Sequence, residues 1–347
     1  MHKIARLSLL ASLLLPVAAT ARTWTDTTGK KIEADIVAVE GDKVVLKFKG
    51  KDTRLPLERL SEEDRKFVEE WQKAPPADPA PASPATPGEI KLCGTTLFAT
   101  GSANTVMSPL PPEVLKAYSK ARTKPTQAKI SIALPAGFDP AKPQHVLWVC
   151  CPVNNETDRK NGNTGGVGEY VENGIKAGYV VIAADTDLGH PFFHPDDRSE
   201  GGDFAFHKHL VALLAKDWPA SKTWTYVAGG FSGGAKLAFA RSGQLLESGV
   251  NVTGMFLAGC NEDRTDQARD ETGVRKSALK KVRVFMSNGK QDDVATPEKA
   301  EIIKKSIEGN GYGEVVLDLF DGPHTIGQAS YAKALEWFKQ APTPAKK

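Results

Sequence analysis

Cysteine is scarce in this chain: Cys93, Cys150, Cys151 and Cys260 are the only four among 347 residues. That is too few for a fold of this length to be framed by disulfides, and their spacing fits no metal site. Net charge is equally slight. Forty-five basic residues nearly balance 42 acidic ones, leaving +3. The two signs are interspersed, so there is no electrostatic pull toward nucleic acid or an anionic membrane. The apolar run near the start, Leu7 to Ala19, stops at 13 residues. A helix needs roughly 20 to cross about 30 Å of hydrocarbon, so no stable membrane span is expected. The rest is ordinary globular composition, 40% hydrophobic and 25% charged, with ample material for a core.

The short apolar run has a reading of its own. His2, Lys3 and Arg6 precede it, and Ala19-Thr20-Ala21 closes it with the small-x-small pattern of a cleavage site. Residues 1–21 are therefore expected to be a signal peptide, with an uncleaved anchor as the alternative. No cysteine near the site suggests a lipid-anchored start. Loss of Lys3 and Arg6 would take the charge from +3 to +1. The protein is expected to be exported, to a periplasm or beyond the cell. Its cysteines then sit where disulfides can form. Cys150 and Cys151 are adjacent in a strand-like run and should point to opposite faces. A bridge from Cys93 to one of them and buried free thiols both stay open.

Residues 22–73 read as short strands at 31–39, 43–49 and 53–56, punctuated by Gly29, Gly41 and Gly50. Ser61-Glu62-Glu63-Asp64 looks like a capped helix start, with Phe67 and Trp71 together on the inner face. Arg22-Thr23-Trp24-Thr25, Ile32-Glu33-Ala34, Val44-Val45-Leu46, Leu55-Pro56-Leu57 and Leu60-Ser61-x-x-Asp64 resemble the Sla-one homology domain, a small SH3-like barrel. The resemblance implies a module that binds a peptide or envelope ligand; a spacer or stabilising appendage is the competing reading. Residues 74–88, rich in proline and alanine, form a semi-rigid linker.

From residue 89 to 341 strand-like runs alternate with helix-length segments. Strands are expected at 128–134, 145–151, 179–184, 223–228, 252–257, 282–286 and 314–320. Helices are expected at 168–177, 204–216, 234–247, 297–310 and 326–340. Such alternation predicts an α/β fold, a mostly parallel sheet with helices on both faces, its reactive groups at the carboxyl ends of the strands. Residues 342–347 are left as a disordered tail.

Within this frame Gly230-Phe231-Ser232-Gly233-Gly234 follows a strand and precedes a helix, the context a G-x-S-x-G nucleophile requires. The turn is sharp, so the neighbours of the serine must be small. It lifts the hydroxyl above the sheet at the positive end of the next helix.

Together with Ile130-Ser131-Ile132-Ala133-Leu134-Pro135-Ala136-Gly137-Phe138 and His145-Val146-Leu147-Trp148-Val149, this motif resembles the α/β-hydrolases, in particular secreted serine esterases. The resemblance implies a Ser–acid–His order, with Ser232 as nucleophile. Asp292, in Gly289-Lys290-Gln291-Asp292, is the acid; Asp293, and more remotely Glu262 or Asp263, compete for that role. His324 follows the last strand and is the only histidine after Ser232, which makes it the base. The backbone of Gly233 should supply one oxyanion donor. Relatives usually carry His-Gly in the other oxyanion loop, where this chain has Cys151-Pro152-Val153-Asn154. Proline has no N–H, so Val153 or Asn154 must supply the second donor.

Phe192, Phe193 and Phe231 are expected to line the substrate pocket. His190, His194 and Asp196 are interrupted by prolines and are not expected to hold a metal, and His207 and His209 are given no role. No cofactor or metal is implied. The expected activity is hydrolysis of a small-molecule or polymer carboxylic ester through an acyl-serine. A serine peptidase, or a non-catalytic binding protein on a degenerate hydrolase scaffold, are the alternatives, the latter prompted by Pro152.

Overall fold

The computed structural model describes residues 22–40, 42–48, 51–73, 89–121, 123–190 and 202–341. The expected signal peptide, linker and tail, and Phe192, Phe193, His194 and Asp196, lie outside them. The chain divides into two compact units, Met1–Thr86 and Pro87–Lys347.

In the first unit, β1 (Arg22–Thr25), β2 (Lys31–Glu40), β3 (Lys43–Phe48) and β4 (Lys51–Pro56) form an antiparallel meander in sequence order. One isolated bridge joins Asp26 to Leu60. The turn after β1 needs a positive φ, which Gly29 supplies at 84°. Helix α1 (Glu62–Lys73) starts where expected: the Ser61 hydroxyl accepts from the Asp64 N–H at 3.2 Å. The Asp64 carboxylate in turn accepts the Thr25 N–H at 2.7 Å, tying the helix to β1. Trp24 is buried in the core with Ala34, Val44, Leu46, Leu60 and Val68. Its indole N–H donates to Ala34 O at 2.8 Å, which satisfies its polar atom. Val68 is the buried apolar residue of α1. Phe67 is half-buried, edge-on to Trp24 at 5.8 Å, and the side chain of Trp71 is outside the described residues.

The second unit opens with a small hairpin, β5 (Lys91–Leu92) and β6 (Thr95–Thr96), then β7 (Ala103–Pro109), α2 (Pro112–Ala117) and β8 (Gln127–Ala133). The alternation follows: β9 (His145–Cys150), α3 (Glu156–Gly166), α4 (Gly168–Lys176), β10 (Tyr179–Thr186), α5 (Gly202–Asp217), β11 (Thr225–Phe231), α6 (Gly233–Glu247) and β12 (Asn251–Ala258). The chain ends with α7 (Thr265–Thr272), α8 (Lys276–Leu279), β13 (Arg283–Gly289), α9 (Pro297–Gly309), β14 (Val315–Phe320) and α10 (Gln328–Lys339).

These strands form one eight-stranded sheet in the order β14-β13-β12-β11-β9-β10-β8-β7. From β10 to β14 every pairing is parallel; β8 runs antiparallel to both its neighbours. The order steps out from β9 to β10 on one side and resumes at β11 on the other. That reversal opens a crevice at the carboxyl ends of β9 and β11.

Period-two alternation divides the core. Val146, Trp148 and Cys150 of β9 face the cluster under α5, α6 and α9, while Leu147, Val149 and then Cys151 face α4 and α10. The two adjacent cysteines therefore point to opposite sides. All four cysteines are free thiols. Cys93 is half-buried and the other three are buried, and the bridge from Cys93 is not formed.

In the second unit β5, β6, β7, α2, α3, α7 and α8 were not evident from sequence patterning. β7 is an edge strand in which only Val106 and Ser108 are buried, so it carries no apolar alternation. α3 reads Glu-Thr-Asp-Arg-Lys-Asn-Gly-Asn-Thr-Gly-Gly, and Gly162 interrupts its helical backbone at φ 61°. Tertiary contacts hold it together. The Asn155 side chain caps its start through the Asp158 N–H at 2.9 Å. The buried Asp185 carboxylate accepts the N–H groups of Asn163 (2.9 Å) and Thr164 (2.7 Å) after the break.

Candidate active site

Ser232 stands between the end of β11 and the start of α6 with φ 54° and ψ −117°. A non-glycine residue in this region costs on the order of 1–3 kcal/mol and persists only where its surroundings impose it. The Ser232 N–H donates to Ala258 O of β12 at 2.8 Å. A Cβ at Gly230 or at Gly234 would lie 2.1 Å from the carbonyl oxygen of Cys150. The small neighbours are thus required by the approach of β9 as well as by the turn itself.

Asp292 and His324 arrive on two adjoining turns. The turn after β13 and the turn after β14 are joined by Lys290 N–H to Phe320 O (2.8 Å) and Gln291 N–H to Gly322 O (3.0 Å). A Cβ at Gly289 would meet Gly322 O at 2.1 Å, so only glycine allows this contact. Asp292 is 3% exposed. Its Oδ1 accepts the N–H groups of Val294 (2.9 Å) and Ala295 (2.7 Å), leaving Oδ2 to face His324 Nδ1 at 2.8 Å. His324 Nε2 lies 3.0 Å from Ser232 Oγ. The Phe231 ring packs on the imidazole at 4.6 Å. On the same side Gly259, at φ 55°, leaves room that a Cβ would close to 2.9 Å from His324 Cε1.

The other acids are otherwise engaged. Asp293 is exposed. Glu262 pairs with Arg264 at 2.7 Å, and Asp263 accepts from Ser306 (2.6 Å) and Asn310 (2.9 Å).

The strand order, a serine on a strained strand-to-helix turn at the switch point, and a carboxylate and a histidine that follow it in chain order make up the α/β-hydrolase pattern. The fold is that of the α/β-hydrolases. The smaller unit has its own match: residues 14–75 fit the model of SLA1 homology domain 1. No curated protein matches the sequence. Among solved structures, Thermogutta terrifontis esterase 2, phosphoramylated by tabun, is similar at 16% identity and a TM-score of 0.43, over 70% of this chain and 93% of that one. An alpha-beta serine hydrolase homologue from Coxiella burnetii is 14% identical with a TM-score of 0.43, over 70% of this chain and 98% of that one. A putative dipeptidyl aminopeptidase IV from Bacteroides ovatus is 13% identical with a TM-score of 0.45, over 92% of this chain and 43% of that one.

The loop expected to supply the second oxyanion donor is residues 151–154. The Asn154 N–H donates to the Asp158 carboxylate at 3.2 Å, so Asn154 is not an available donor. The reason is local: Asp158 also receives the Asn155 amide (3.0 Å) at the start of α3 and so draws the loop's end toward itself. The N–H groups of Val153 and Gly233 have no hydrogen-bond partner among the described residues. The loop is anchored from below: Cys151 N–H donates to Asn163 Oδ1 at 2.8 Å, and Asn163 is held by Asp185. Asp185 is therefore a buried support for this loop. Neither Asn163 nor Asp185 stands out in the sequence as anything more than a loop polar residue.

Ser232 and His324 open into a cleft of about 370 Å³, walled by Phe231, Tyr170 and Ile326 and edged by the polar Asp158, Asn161 and Glu169. Behind the sheet lies a buried polar cluster. Asp203 of α5 meets Arg241 of α6 at 3.3 Å and Gln244 at 2.5 Å, and His207 Nδ1 at 3.2 Å. His207 has no part in the site, but it is fully buried, edge-on to Trp148 at 5.8 Å. The cluster fixes α5 against the helix that begins at the nucleophile. Among the described residues no group of histidine, cysteine and carboxylate side chains could hold a metal ion, and no helix is long and apolar enough to cross a membrane.

Proposed function

We propose that this protein is an exported serine hydrolase that cleaves carboxylic esters through an acyl-serine intermediate. The observation that carries the reading is the continuous relay from Ser232 Oγ to His324 Nε2 (3.0 Å) and from His324 Nδ1 to Asp292 (2.8 Å). A serine hydroxyl is a weak nucleophile until a base removes its proton. Asp292 keeps the imidazole proton on Nδ1, so Nε2 presents its lone pair to the hydroxyl. Oγ attacks the ester carbon as its proton passes to Nε2. The carbonyl oxygen becomes negative and is met by the N–H groups of Gly233 and Val153, reinforced by the N-terminal end of α6. The imidazolium then gives its proton to the departing alcohol oxygen. Water repeats the sequence on the acyl-serine and frees the acid.

Export rests on the N-terminal basic–apolar–small pattern of residues 1–21. The first unit, as a Sla-one homology domain, is assigned the binding of a peptide or envelope ligand. The test is covalent labelling with a fluorophosphonate probe, paired with turnover of aryl acetates. Intact protein should take up one label and release aryl alcohol, and Ser232→Ala should do neither. Equal labelling of both proteins would end the proposal.

A further inference from the structure

The assignment of Ser232 and His324 as nucleophile and base fixes where the two halves of an ester must lie, and the subsite inferred from it rests on that reading. A tetrahedral carbon on Ser232 Oγ holds three further substituents. Its oxyanion faces the N–H groups of Gly233 and Val153. Its leaving oxygen must be within reach of His324 Nε2, which protonates it. His324 lines the 370 Å³ cleft, so the alcohol half departs there. The acyl carbon takes the remaining direction, away from the imidazole.

A second cleft, of about 210 Å³, lies between α6 and α7 and is lined by Gly233 and by Val153 and Asn154 of the loop of residues 151–154. Its wall is apolar where Leu237, Ala240 and Ala268 meet. The cations Arg264 and Lys236 and the carboxylate Glu271 line it. Arg264 is engaged by Glu262 at 2.7 Å and by Gln267. The one carboxylate in the cleft, Glu271, accepts from Gln267 at 2.7 Å. Lys236, one helical turn after the nucleophile and half-buried in the cleft wall, has no side-chain partner among the described residues.

We propose that the α6–α7 cleft is the acyl subsite and that Lys236 selects acyl groups ending in a carboxylate, so that half-esters of short dicarboxylic acids are preferred. A glutaryl group places three methylenes and a carboxylate beyond the scissile carbonyl. The apolar stem then lies against Leu237 and Ala240 and the anion at the Lys236 ammonium.

The experiment compares kcat/KM for monoethyl glutarate and ethyl valerate by pH-stat titration in wild type, Lys236→Met and Lys236→Arg, alongside fluorophosphonate labelling. The half-ester should lead by about tenfold, the worth of one charge-assisted contact at a half-exposed site. That ratio should collapse in Lys236→Met, survive in Lys236→Arg and shrink with added salt. Because both substrates meet the same protein sample, a folding defect cannot mimic a change in the ratio. Turnover of both esters with a ratio unmoved by Lys236→Met would overturn this inference and leave the hydrolase reading standing. Absence of both turnover and label in wild type would overturn the two together.

Discussion

Asp292→Asn tests the relay without disturbing its shape. The two carboxylate oxygens have different duties. Oδ1 accepts backbone N–H groups from Val294 at 2.9 Å and Ala295 at 2.7 Å. Those donors are fixed by the turn, so an asparagine must place its carbonyl oxygen there. Its NH2 then faces His324 Nδ1, where the carboxylate now sits at 2.8 Å. A donor at that position forces Nδ1 to accept, which moves the ring proton to Nε2. The nitrogen 3.0 Å from Ser232 Oγ would then carry a hydrogen and could take no proton from the hydroxyl. Loss of the correct tautomer in such a relay costs about 10⁴ in kcat, close to 5.4 kcal/mol of transition-state stabilisation. Every hydrogen bond keeps a partner, so thermal unfolding should shift by only a few degrees. The assay is kcat on an aryl acetate at neutral pH, with the unfolding midpoint measured on the same sample. An Asp292→Asn variant within tenfold of wild type would show that this carboxylate does not orient the base.

Gly259→Ala should lower kcat by roughly 10- to 100-fold with the fold retained. Its Cβ would press on His324 Cε1 and the Phe231 ring, each at 2.9 Å, and small misplacements of a reacting group carry costs of this size. Unchanged kcat on aryl acetates would refute the tight seat assigned to the imidazole. A pH effect on stability follows from His207. Burial first, and then the nearby Arg241 charge, push its pKa from 6.5 down to about 4. Between those values the unfolded chain binds a proton that the folded chain refuses. The contribution is therefore full above about pH 6.5 and is lost as pH falls toward 4, by on the order of 3 kcal/mol. His190, also pushed to about 4 by burial, acts in the same direction. Urea midpoints across this range should fall less steeply in His207→Gln than in wild type; parallel curves would refute the assignment.

Short-range chemistry is legible in the chain before it folds. The glycines around Ser232, the strand before it and the helix after it are consecutive, so steric rules for a sharp turn suffice to mark it as the candidate nucleophile. The alternation of runs from residue 128 onward marks the parallel sheet, because side-chain periods of 2 and 3.6 are local properties. Asp292 and His324 were singled out as candidates by their places after β13 and β14, and period two alone placed Cys150 and Cys151 on opposite faces. Choices between neighbours had to wait for the folded molecule. Asp292 is preferred over Asp293 because the turn buries one carboxylate against two backbone donors and leaves its neighbour exposed. Val153, and not Asn154, keeps a free N–H because Asp158, in the next helix, takes the other. α3 lacks an apolar stripe and exists as a helix because Asp185, on β10, caps its broken middle. Burial and hydrogen-bond competition are set by groups brought near by the sheet, and no local pattern encodes which neighbour arrives.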